Sequence, residues 1–135
     1  MYNRSMTTLN FNRTAIGQVL DIHDGDTLTL SIRMKKTRMK DQDLGYHVHV
    51  EGGWITLHTP IRFYGINAPE LATVEGIASL EFLQSQVSVG DLLTVETALN
   101  PGDKYGRWLG ILFKDKVNLN DLMVSSGNAV VYLIS

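Results

Sequence analysis

The sequence predicts a mainly β, α+β domain: a small closed barrel of short, twisted strands with a helix between the third and fourth. Three observations predict it. Apolar and polar residues alternate over short runs, as half-buried strands require. Turn-forming pairs such as Asp24-Gly25, Gly52-Gly53 and Lys114-Asp115 separate those runs. Helical spacing occurs in only two stretches, 74–87 and 117–126. At 135 residues the chain fits one domain and can bury a core without covalent staples.

Residues 1–13 are polar and read as a flexible leader, with the domain spanning 14–135. Residues 14–22 form the first strand. Asp24-Gly25-Asp26 is a hairpin turn, because Gly accepts the positive φ such a turn needs. Residues 27–32 alternate Leu28, Leu30 and Ile32 on one face. The charged stretch 34–45 reads as a loop or hairpin tip. Strands follow at 47–50 and 54–58, and a further one at 60–66. Pro69 ends that strand, since proline cannot continue a central ladder. In the helix 74–87 the apolar residues Ile77, Leu80, Leu83 and Val87 share one face, with Leu80, Leu83 and Val87 in the core. Strands at 92–97, 108–113 and 129–134 complete the pattern, and Gly127 stops the short second helix. The best match is the OB-fold, a five-stranded Greek-key barrel that often binds nucleic acid.

Composition excludes several classes. The chain has no cysteine, so disulfides and thiolate metal sites are ruled out, and a zinc site has only His, Asp or Glu to draw on. His47 and His49 share a strand face but lack an evident third ligand. No apolar run is long enough to span a membrane. No secretory signal is visible, which makes the cytoplasm the default compartment. A net charge of −2 argues against a general nucleic-acid coat protein. Locally, however, Arg33, Lys35, Lys36, Arg38 and Lys40 place five cations within eight residues, either a solvated loop or a contact for phosphates.

Three polar segments carry the chemistry: Asp24-Gly25-Asp26-Thr27, Arg62 through Asn67-Ala68-Pro69-Glu70, and Asp103-Lys104-Tyr105-Gly106-Arg107. Together they offer carboxylates, an amide and two arginines. Hard oxygens suit a hard cation. Arginine stays charged, and its planar fork suits two phosphate oxygens. Arg62 lies in an apolar strand and needs an anionic partner there, with Glu70 one candidate.

These residues resemble the staphylococcal nuclease-like (thermonuclease) family. The resemblance runs from Val19 through Asp24-Gly25-Asp26-Thr27 and Ile61 to Glu70. It continues through Glu75-Gly76, Ala78-Ser79, Gly90-Asp91 and Asp103 to Leu109. It implies metal-dependent hydrolysis of phosphodiesters in DNA and RNA, with the 5′-oxygen leaving to give 3′-phosphate products. By motif, Asp26 resembles the family's carboxylate metal ligand, Arg62 and Arg107 its catalytic arginines, and Glu70 its catalytic glutamate. Tyr105 falls where the family has a tyrosine beside the nucleotide, with Lys104 next to it on the substrate side. Asn67 replaces an aspartate that often serves as second metal ligand. Its amide oxygen and a backbone carbonyl near Ala68 are the remaining protein ligands.

The implied ion is Ca²⁺, with Mg²⁺ or Mn²⁺ as substitutes, and the expected partner is nucleic acid acted on by a monomer. Two further departures are the length of 34–59 and the absence, before Ser135, of the C-terminal helix of the family's best-known member. The competing expectation is a catalytically weak or inactive OB-fold module that binds nucleic acid or protein.

Overall fold

The computed structural model describes residues 11, 13–35, 48–99 and 108–133. The predicted leader lies outside these residues apart from Phe11 and Arg13. So do the charged tip at 36–47 and the segment 100–107.

Five strands close a barrel. They are β1 (Arg13–Asp24), β2 (Thr27–Lys35), β4 (Trp54–Phe63), β6 (Leu92–Leu99) and β7 (Trp108–Lys114). Neighbours run antiparallel in the order β4-β2-β1-β6-β7, and a parallel pairing of Ile61–Phe63 with Trp108–Gly110 seals the ring. A short strand β3 (Val48–Glu51) extends the sheet beyond β4, and β8 (Val117–Asn118) extends it beyond β7. The strands β5 (Ile66–Asn67) and β9 (Val130–Val131) form a separate two-stranded ribbon. This is the expected OB-like barrel with two helices. Helix α1 (Val74–Gln86) falls between the third and fourth barrel strands, and α2 (Leu119–Ser125) follows the last.

Alternation explains the core. Leu28, Leu30 and Ile32 of β2 point inward with Ile55, Leu57, Ile61 and Phe63 of β4, each at most 1% exposed. Burying one such side chain stabilises the fold by about 1.5–3 kcal/mol. Trp108 and Leu112 of β7 complete that wall, while Leu83 and Val87 of α1 plug one end. No described helix is long and apolar enough to cross a membrane.

Three sequence expectations need correction. Residues 54–58 and 60–66 are not separate strands, because β4 runs unbroken through Pro60. The edge of β4 away from β2 carries β3 up to Leu57 and β7 from Ile61, and Pro60 falls in the gap. A missing N–H is tolerated at such an edge. The chain then turns at Tyr64-Gly65, so Ile66 belongs to a different sheet. The buried face of α1 is Gly76, Ser79 and Leu83, whereas Ile77 is 49% exposed and Leu80 only half-buried. Finally, the second helix starts two residues later than its spacing suggested, with Asn118 capping it through a bond from the Asp121 N–H at 3.0 Å.

A candidate active-site corner

The hairpin turn between β1 and β2 and the end of β4 meet at one corner of the barrel. The antiparallel register sets Thr27 opposite Arg62, so Asp26 lies beside a strand distant in sequence. The Phe63 N–H donates to the Asp26 carbonyl at 2.8 Å and locks the turn to β4.

Asp26 is buried, 6% exposed, yet richly satisfied. Its Oδ2 accepts from the Ala68 N–H at 2.7 Å and faces Arg62 Nη1 at 3.3 Å. Its Oδ1 accepts from Thr27 Oγ1 at 3.1 Å. Asp24 Oδ1 in turn accepts from the Asp26 N–H at 3.0 Å. Burial, followed by the neighbouring Asp26 carboxylate, pushes the Asp24 carboxyl above its ordinary range. Two carboxylates therefore crowd this turn, an arrangement that favours a positive charge nearby.

Arg62 supplies one. Its Nη1 donates to the carbonyls of Phe63 at 3.1 Å and Ile66 at 3.0 Å, and its Nη2 donates to Asn67 Oδ1 at 3.1 Å. The fork is thus fixed by backbone on one side, while one arm spans Asp26 and the other Asn67. Among the described residues the carboxylate facing Arg62 is Asp26; the expectation of a Glu70 partner is not met. A buried guanidinium needs such pairing, because an isolated charge there is costly.

Asn67 is exposed at the end of β5, and Ala68 is half-buried just after it. Ala68 contributes its N–H to Asp26 in this corner. Glu70 is exposed, and its backbone carbonyl accepts from the Thr73 N–H at 3.0 Å and Thr73 Oγ1 at 2.6 Å. Thr73 is also the N-cap of α1, accepting from the Gly76 N–H at 2.9 Å. One threonine therefore joins the Glu70 turn to the start of the helix. Lys104, Tyr105 and Arg107 lie outside the described residues.

Residues not singled out in the sequence as site residues hold this corner together. A Cβ on Gly76 would collide with the Glu70 carbonyl, so only glycine lets α1 pass so close. A Cβ on Gly25 would collide with Ser79 Oγ, which itself donates to the Asn128 carbonyl at 2.8 Å. Asn120 is fully buried and makes three bonds. Its Oδ1 accepts from the Leu112 N–H at 3.1 Å, and its Nδ2 donates to the carbonyls of Tyr64 at 2.9 Å and Gly110 at 3.0 Å. That amide ties α2 and β7 to the turn after Arg62. Its signal in the sequence is an amide amid the apolar residues Leu119, Leu122 and Met123.

The oxygens of Asp26, Asp24 and Asn67 are all hard donors, which suits a divalent cation such as Ca²⁺. No group of three or more His, Cys, Asp or Glu side chains gathers among the described residues, so any such site draws on amide and backbone oxygens as well. The sequence model of the family described as staphylococcal nuclease homologue matches residues 60–135, more than half of the chain. No curated protein matches the chain.

Proposed function

Because the chain belongs to the staphylococcal nuclease homologue family, we propose that it is a phosphodiesterase that cuts DNA and RNA internally, with Ca²⁺ as its ion and Mg²⁺ or Mn²⁺ as substitutes. The observation that carries this reading is the Arg62 fork, held by two backbone carbonyls between Asp26 and Asn67. A fork fixed in this way is pre-organised for two phosphate oxygens, and little ordering is lost when they bind.

In this reading Asp26, the Asn67 side chain and a carbonyl near Ala68 are the protein's ligands to the ion. When bound, the ion neutralises the phosphodiester and orients it for attack. Glu70 takes the proton of the attacking water. The water oxygen bonds to phosphorus, the bond to the 5′-oxygen breaks, and solvent returns a proton to that oxygen, leaving a 3′-phosphate. Arg62 and Arg107 brace the charge that grows on the phosphoryl oxygens. Tyr105 and Lys104 contact the nucleotide.

The oxygens that would hold the ion are those that engage Arg62, so the ion and the guanidinium compete for Asp26 and Asn67 until a phosphate draws the arginine away. That competition also favours a second reading. Asn67 is neutral and its oxygen is engaged by Arg62, and both weaken the ligand set, as expected of a module that binds nucleic acid or protein without cutting.

Incubation with single- and double-stranded DNA and with RNA, in Ca²⁺, Mg²⁺, Mn²⁺ or EDTA, separates the two. The nuclease reading predicts ion-dependent fragments ending in 3′-phosphate. Binding without fragments under any ion supports the module.

A further inference from the structure

The outward faces of β2 and β4 continue from Arg62 along the barrel wall. On β4 the alternation that points Ile55, Leu57 and Ile61 inward turns Trp54, Thr56, His58, Pro60 and Arg62 outward. On β2 the matching residues are Thr27, Thr29, Ser31 and Arg33. The register pairs Thr27 with Arg62, Thr29 with Pro60, Ser31 with His58 and Arg33 with Thr56. Asp21, beside Thr29, is engaged by His23 at 3.4 Å.

At the far end this wall opens into a groove of about 900 Å³ across β4, β2, β1 and β6. Arg33 lies over the Trp54 ring, its guanidinium carbon 4.5 Å from the centroid. Ile16 and Leu92 face the groove, 60% and 65% exposed. Between them lie the hydroxyls of Ser31, Thr56 and Thr94 and the amide of Gln18. Among the described residues lining the groove, Arg33 carries the only charge, and it is positive. A cation on an aromatic face, flanked by apolar surface and hydroxyls, is the chemistry that binds a phosphate and the bases on either side of it.

We propose that this wall is a track for single-stranded nucleic acid, leading from the Arg33–Trp54 platform to the Asp26–Arg62 corner. The proposal rests on the phosphodiesterase reading above and adds to it the strandedness and length of the preferred substrate. From Thr56 to Arg62 the track spans about 20 Å of strand. That accommodates about four nucleotides, the low end of the range for OB-type sites. A duplex keeps its bases stacked inside and cannot lay them on a sheet face, whereas a single strand can.

The test uses the full chain carrying Glu70→Gln, so that bound strands stay intact, with labelled oligothymidylates of two to twelve nucleotides in Ca²⁺. Fluorescence anisotropy should show affinity rising with length to about four to six nucleotides and then levelling. Adding Arg33→Ala and Trp54→Ala should weaken the dodecamer by about tenfold or more, leave the dinucleotide unaffected and spare the melting temperature. Trp54→Phe should recover part of the loss. Equal dodecamer affinity with and without the two alanines overturns the track while leaving the nuclease reading intact. This is also the result expected if a protein chain occupies the groove. A parent protein that binds neither oligomer, in a chain that also fails to cut DNA, overturns the nuclease reading itself.

Discussion

At the scale of single residues, the corner turns on where charge is placed. Arg62 was legible as a residue needing an anion, because a guanidinium in an apolar strand is costly to bury unless an opposite charge faces it. Its partner was not legible. Asp26 is remote in sequence, and only the pairing of Thr27 with Arg62 brings the two together. Glu70 was the nearer carboxylate in the chain, but Pro69 and the Thr73 cap carry it into an exposed turn.

Asn67 is the residue whose chemistry departs most from the family's pattern. Its neutral oxygen accepts from Arg62 at 3.1 Å. Asn67→Asp adds a second carboxylate at the same place, and negative ligands tighten calcium sites. We expect Ca²⁺ affinity, measured by isothermal titration calorimetry without nucleic acid, to rise by about tenfold or more. Unchanged affinity would remove Asn67 from the ligand set.

At the scale of elements, the barrel strands were readable because alternation and turn chemistry agree. The helix α1 was readable as a helix but not in its facing. Its buried stripe begins with Gly76 and Ser79, which carry no apolar signal, and Ile77, which does, faces out. The reason is proximity: small residues let the helix start lie against the Glu70 turn and the Asp24–Asp26 hairpin.

The second helix is fixed in another way. Asn120 is fully buried and bonds to β7 and to the turn after Arg62. Asn120→Ala leaves buried donors and acceptors unpaired, each costing about 1–3 kcal/mol. We expect a loss of about 2–4 kcal/mol in urea unfolding, with weaker nucleic-acid binding because the Arg62 turn loosens. Wild-type stability in this variant would mean that the amide only fills space.

At the scale of the whole molecule, one ion pair joins three parts of the chain. Lys114 of β7 contacts Asp91 Oδ2 at 3.0 Å and donates to the Gln86 carbonyl, also at 3.0 Å, at the end of α1. The Ser88 N–H donates to the same Asp91 oxygen at 2.9 Å. That backbone bond first, and Lys114 second, hold the Asp91 carboxyl below its ordinary 3.8. A lowered folded value means that stability is gained above the unfolded value and lost as pH falls through the folded one. Asp91→Asn should therefore lower the melting temperature at pH 7, and the difference should close in strong acid. A gap that persists below about pH 2 would assign the effect to packing.

The barrel, its closure and the place of both helices were legible across the whole chain, because they follow from periodicity. The corner was legible only as a set of motifs, because its geometry depends on strand register and on small residues that local patterns do not reveal.

The most direct measurement of the central claim is the cleavage rate of end-labelled single-stranded DNA by the wild type, Glu70→Gln and Arg62→Ala, with Ca²⁺ and with EDTA. The phosphodiesterase account predicts cleavage that requires the ion and falls by about 10²–10³ in each variant while all three proteins remain folded. Cleavage that persists in EDTA, or that both substitutions leave unchanged, would contradict it.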